Sequence, residues 1–310
     1  MSRQLMSEIV LRLLSVLMIV VTSLVATGGC APREPDEAAA GPKVVASIGP
    51  LAMIAREVAG DQASVHQLIR NGDPHHFAPK VSDRMGIEAA QLVVWMGPAM
   101  ESVLARQMAL VPDERQLVLL ADETAYEYAG ADAADPHLWL RPRNAAVMAA
   151  MIATRLATAD PEHAEDYRQR ARDFSRAMAN LQKVQDRALW AYKDAPIVTT
   201  HQAYSHFFGA AGVAVESLGA GSGHQHGART LVQKRRALDE DPSAVVGCLF
   251  GEAPANDRDR QTATNLNLGY QALDPLGITM AEGASYRDLM EKLLADARLC
   301  LARIPDRSAQ

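Results

Sequence analysis

Nine histidines are distributed over the 310 residues, and short stretches around them single out the ones placed to do chemistry. His75 and His76 follow Asp73-Pro74 in NGDPHHFAPKVSD, His137 follows Asp135-Pro136 in DPHLWLRP, and His201 stands directly after the apolar run PIVTT. Asp274 occupies the matching place in LDPLG, after YQAL. Imidazole nitrogens and one carboxylate, delivered from separate loops, form a donor set that Zn²⁺ accepts tetrahedrally, because its filled d shell imposes no geometry of its own. Taken singly, each of these histidines reads most simply as a satisfied core or surface residue. Their recurrence at comparable loop positions in both halves of the chain instead predicts a metal site drawing on His75 or His76, His137, His201 and Asp274. Glu252, in LFGEAP, is an alternative carboxylate near the same edge. Asp73 and Asp135 are placed either to accept the ring N–H groups of the ligands or to cap the turns made with their prolines.

Such loops need a scaffold to bring them together. From Lys43 onward, the β-branched runs VVAS, SVHQL, LVVWM and LVLL alternate with LAMIAREVA and MESVLARQMAL, which have helical period. A second set follows in PIVTT, VAVESL, AVVGCLF and YQALD, with a last helix near Tyr286 to Ala302. This doubled βαβα rhythm predicts an α/β fold of two lobes, each a parallel sheet flanked by helices. The ligand positions fall at or near the carboxyl ends of strands, where open α/β sheets build their sites. Between the sets, Asn144 to Tyr192 lacks strand character. From Pro161, apolar residues recur at steps of three and four through Tyr167, Ala171, Phe174, Met178, Leu181 and Val184. Asp160 is the expected N-cap, and Glu162 and Glu165 suit the positive end of the dipole. One rigid helix, about 50 Å long if continuous to Tyr192, is therefore expected to bridge the lobes. The expected boundaries are 43–160, 161–193 and 194–310.

Residues 1–29 read as a signal peptide, because the apolar run LLSVLMIVVTSLVA is shorter than the roughly 20 residues that span a bilayer. The TGGC that follows resembles the lipobox of bacterial lipoproteins, with Thr27 where that pattern usually carries Leu. It implies a lipid on Cys30 and a tether over 30–42; an ordinary secreted protein cleaved nearby is the other reading. Export leaves Cys248 and Cys300 in an oxidising compartment, where a disulfide between them is expected. It would contribute about 4 kcal/mol in the chain-entropy model; two buried free thiols are the alternative. A net charge of −6, from 31 basic and 37 acidic residues, argues against nucleic-acid binding. The sequence carries no P-loop for ATP hydrolysis. It also lacks an H-E-x-x-H helix or a comparable base for a zinc hydrolase, so no enzyme is expected.

VVASIGPLAMIAREVAGD, DPHHFAPKVSD, LVVWMGPAME, DPHLWLRPRNA, THQAYSHFF and LDPLG, in this order, resemble the solute-binding proteins of bacterial ABC importers for zinc and manganese. The resemblance covers nearly all of the chain after the tether. It implies two α/β lobes joined by one long helix, with the metal in the cleft between them. It implies His75, His137, His201 and Asp274 as ligands, with His76 as a neighbour. The fourth ligand stays open among Asp274, Glu252 and water. Zinc-type members carry His at the position of His201 and manganese-type members carry Glu, so Zn²⁺ is the implied cargo and Mn²⁺ the alternative. The implied function is capture of Zn²⁺ in the periplasm or at the outer face of the membrane. A monomeric receptor would then deliver it to a permease with a separate ATPase subunit. A manganese or iron receptor, or a metal-binding adhesin lipoprotein, is the competing reading. The long His-rich loop of many zinc-type members is replaced here by DETAYEYAGADAA. His224 and His226 in GSGHQHG read as a solvated loop in preference to an accessory relay. Trp95 and Trp139 are expected in the core of the first lobe, His66 and His163 as bystanders, and His206 along the cleft without binding.

Overall fold

The computed structural model describes residues 41–128, 135–218, 232–233 and 245–304. The expected leader, Cys30 with its tether, and His224 and His226 lie outside the described residues. Strands β1 (Lys43–Ala46), β2 (Ser64–Gln67), β3 (Leu92–Trp95) and β4 (Gln116–Val118) form a parallel sheet in the order β2-β1-β3-β4. Strands β5 (Ile197–Thr199), β6 (Val215–Ser217), β7 (Cys248–Glu252) and β8 (Gly269–Leu273) repeat that arrangement as β6-β5-β7-β8. The inner strands are apolar on both faces, as strands covered by helices on each side must be. Val44 to Ala46, Leu92 to Trp95 and Ile197 to Thr199 are all buried. The edge strand β2, SVHQ, alternates between exposed and half-buried positions, and His66 sits there away from any site.

The helices are α1 (Gly49–Ala59), α2 (Val81–Ala89), α3 (Ala105–Met108), α4 (Pro142–Ala159), α5 (Ala164–Trp190), α6 (Ser205–Gly209), α7 (Asp257–Leu266) and α8 (Tyr286–Leu301). Helix α5 connects the two sheets. It buries the stripe Tyr167, Ala171, Phe174, Met178 and Leu181 against α4, and both helices pack on α1. At 27 residues it is about 40 Å long, shorter than expected, because Pro161–His163 forms a separate 3₁₀ turn. Asp160 does not cap that turn with its side chain. Its Oδ2 accepts instead from the Tyr167 hydroxyl at 2.7 Å and from His163 Nδ1 at 2.8 Å.

The stretch MESVLARQMAL is helical only in α3. Glu101 is turned fully inward, where its Oε2 accepts the backbone N–H of Met96 at 2.9 Å and of Gly97 at 3.3 Å. Burial pushes its pKa up to about 7. In the second lobe, a disulfide joins Cys248 of β7 to Cys300 of α8, as expected. One core runs from β1 and β3 through α4 and α5 to α8, while Val198, Val246, Leu249 and Leu268 form a smaller cluster. The lobes meet closely where the loop after β1 passes the loop after β8. A Cβ on Gly49 would fall 2.2 Å from the carbonyl oxygen of Leu276, so only glycine fits there. Among the described residues, no helix is long and apolar enough to cross a membrane.

Candidate metal centre

Each histidine of the site is presented by a tight local structure. After β2, Asp73 opens the turn Pro74–His76, and its Oδ1 accepts the backbone N–H of His75 at 2.9 Å. Its other oxygen takes His76 Nδ1 at 2.7 Å. Asp73 thus serves the turn and His76, not the ring of His75. The His76 side chain is 83 % exposed and points away, whereas His75 turns into the cleft. Asp135 organises the second loop in a similar way: its Oδ1 accepts both the backbone N–H of His137 at 2.9 Å and the ring Nδ1–H at 2.7 Å. His201 lies one residue beyond the Thr200 that follows β5, and its Nδ1 pairs with Glu252 Oε1, at the end of β7, at 2.8 Å.

These loops bring three rings together. Ring centroids lie 4.9 Å apart for His137 and His201, 5.5 Å for His75 and His201, and 5.6 Å for His75 and His137. One nitrogen from each lies within 4.8 Å of the other two. The corners of a triangle with 4.8 Å sides sit about 2.8 Å from its centre, against Zn–N bonds of ~2.0–2.1 Å. A contraction of less than about 1 Å would therefore bring all three nitrogens to bonding distance of one ion, leaving a fourth position to fill. His137 Nε2 is buried and has no hydrogen-bond partner, a costly state for a polar atom unless something binds there. With Nδ1–H committed to Asp135, Nε2 presents its lone pair, the form a metal ligand needs.

Electrostatics treats the rings differently. Burial pushes the His137 pKa down, outweighing the nearby Asp135, and so keeps the ring neutral. Burial also opposes the His201 cation, but the hydrogen bond and charge of Glu252 overcome it and raise the pKa above its ordinary value. Desolvation likewise works against Asp135, yet His137, His206 and Ser205 together hold its carboxyl below the usual range.

Of the expected ligands, the structure gathers His75, His137 and His201 into one group and leaves Asp274 outside it. Asp274 lines the same cavity of about 220 Å³, with Met100, Trp139, Glu252 and Pro254. Its Oδ1 accepts the Ile278 N–H at 2.9 Å, and its Oδ2 accepts the N–H and hydroxyl of Thr279 at 2.7 and 2.6 Å. Glu252 is committed to His201. A second cavity touches the other side of the rings, along Ala99, Thr200 and Gln202. Trp139 is not simply first-lobe core. Its Nε1–H donates to the Pro275 carbonyl at 2.9 Å, and its own carbonyl accepts the Tyr286 hydroxyl at 2.5 Å, so it stitches the lobes together beside the three rings. Ser205 escaped notice in the sequence, because nothing local marks a serine as the partner of an aspartate 70 residues away.

The chain resembles known proteins over most of its length. The family described as "Zinc-uptake complex component A periplasmic", ZnuA, matches residues 44–297. The high-affinity zinc uptake system protein ZnuA of Brucella suis is 26 % identical, over 84 % of this chain and 92 % of its own. The manganese ABC transporter substrate-binding lipoprotein PsaA of Streptococcus anginosus is also 26 % identical, over 90 % of this chain and 95 % of its own. Among solved structures, a mutant of the laminin-binding adhesin Lmb from Streptococcus agalactiae superposes with a TM-score of 0.69. It is 23 % identical and covers 86 % of this chain and all of its own, which supports the fold.

Proposed function

The chain belongs to the ZnuA family of periplasmic metal-binding receptors of ABC importers, and from that premise we propose that its cargo is Zn²⁺. The observation that carries this reading is the all-nitrogen group of His75, His137 and His201, with His137 Nε2 buried and unpartnered. Three neutral imidazoles favour Zn²⁺ over the harder, oxygen-preferring Mn²⁺. The family consists of receptors, not enzymes. In the proposed cycle, a monomer anchored outside the cytoplasmic membrane through a lipid on Cys30 captures the ion in the cleft. It then passes the ion to a permease driven by a separate ATPase subunit. Because the ligands bind as neutral rings, affinity falls as pH drops through the histidine range.

A manganese reading draws support from Asp274, an oxygen donor lining the same cavity, and from the equal identity to a relative named for manganese. Competition calorimetry on chelator-treated protein separates the two. One tight Zn²⁺ per chain, displaced poorly by Mn²⁺, is the expected result, and it should be lost in His137→Ala and His201→Ala. Preference for Mn²⁺ would overturn the zinc assignment, and retained affinity in both variants would overturn the site.

A further inference from the structure

We propose that Ser205 and His206, at the start of α6 in the second lobe, are positioning residues for the ligand His137 and act on it through Asp135. The inference rests on the receptor reading of the site and adds to it a coupling between lobe closure and metal retention.

Asp135 is buried, and each of its side-chain oxygens has its own task. Oδ1 holds His137 by backbone and ring, as described above, while Oδ2 accepts the hydroxyl of Ser205. Its backbone carbonyl accepts the Nε2–H of His206 at 3.0 Å, and the same nitrogen lies 3.9 Å from Oδ2. The His206 ring is fully buried and meets the edge or face of Tyr128, from the first lobe, at 5.7 Å between centroids. One carboxylate therefore orients a ligand with one oxygen and reaches the opposite lobe with the other.

The arrangement has a mechanical consequence. Asp135 and His137 are two residues apart and travel together, whereas Ser205 and His206 travel with His201, the ligand from the second lobe. Separating the lobes breaks the bonds from Ser205 and His206 to Asp135. The carboxylate then loses the anchors that fix its position, and with them the aim of His137 Nε2. Partners that orient a metal-binding histidine typically change affinity by about 10–100-fold when removed. Opening the cleft would thus weaken the hold of His137 in the same motion that parts it from His201. Release to a partner would follow from separation of the lobes, without protonation of any ligand.

The test uses the full chain loaded with Zn²⁺ alone. Dissociation is followed by transfer to an excess of chelator, and affinity by competition. Ser205→Ala and His206→Phe are each expected to speed release about tenfold. Ser205→Thr, which keeps the hydroxyl, should restore the rate. In an Asp135→Ala background, Ser205→Ala should add nothing further, because both act through one group. Unchanged release in Ser205→Ala and His206→Phe, with only the melting temperature of the metal-free protein lowered, would overturn the proposal and leave these residues purely structural. Full additivity with Asp135→Ala would overturn it as well. Failure of the underlying reading looks different: the unsubstituted protein would then not retain Zn²⁺ at all, or would retain it in His137→Ala.

Discussion

The two lobes share a strand order and differ in what secures them. The first relies on buried carboxyl groups. Its support for His137 is Asp135, with no side-chain exposure, and Glu101 lies fully buried at the end of β3. The second relies on a covalent link between β7 and α8, and its support for His201 is Glu252, 39 % exposed. Repeating a topology thus does not repeat its physical chemistry. A hydrogen bond to a desolvated carboxylate is strengthened by its low-dielectric surroundings, while one at the rim competes with water and is screened by salt. One histidine is held stiffly and the other is left responsive to solvent.

Perturbations directed at one lobe at a time should expose this asymmetry. The largest effect is expected from reducing Cys248–Cys300, or from the double alanine variant, which opens a loop of 52 residues and costs about 4 kcal/mol in the chain-entropy model. Denaturant unfolding with and without reductant measures it; an unchanged midpoint would mean that the second lobe does not depend on its link. Next comes pH, acting on the first lobe. Burial pushes the Glu101 pKa up to about 7, above the 4.5 of an unperturbed glutamate, so the folded state binds more protons between these values. The associated stability is complete below about pH 4.5 and is lost as pH rises through 7, up to about 3 kcal/mol. Unfolding of the metal-free protein across that window should show this slope, and Glu101→Gln should flatten it. The smallest effects concern the supports themselves. Asp135→Asn is expected to weaken Zn²⁺ binding about 10–100-fold, and Glu252→Gln by less than about tenfold, since its charge is partly solvated. Equal losses in a binding titration would erase the distinction drawn between the lobes.

How much of this could be read beforehand depended on the range of the interaction. Most strands among the described residues were legible because β-branched apolar runs, such as LVVW and IVT, carry their own signal. The histidines were legible because aspartate-proline turns and strand ends mark them locally. The bond from Asp135 to His137 spans two residues, and sequence suggested it. Helix α3 came out shorter than its period implied because Glu101 turns inward to take the amides of Met96 and Gly97, a tertiary preference that outweighs propensity. The roles of Trp139, Ser205 and His206 were not legible, since each depends on a partner in the opposite lobe. Asp274 was expected on the same grounds as the histidines, and it lines their cavity; that its oxygens also accept from Ile278 and Thr279 in the loop after β8 carried no local mark in the sequence.

The bond between Cys248 and Cys300 also shapes what the protein can select. Thiolate is the softest donor a side chain offers, and it draws copper(I) and zinc. As a cystine, the pair has no thiolate to offer, and no other cysteine lies among the described residues. An incoming ion therefore meets imidazole without a rival sulfur site in the same lobe to divert it. On the proposed reading of the site, the link that ties α8 to its sheet would thus also act as a chemical filter, leaving discrimination among metals to the histidines of the cleft.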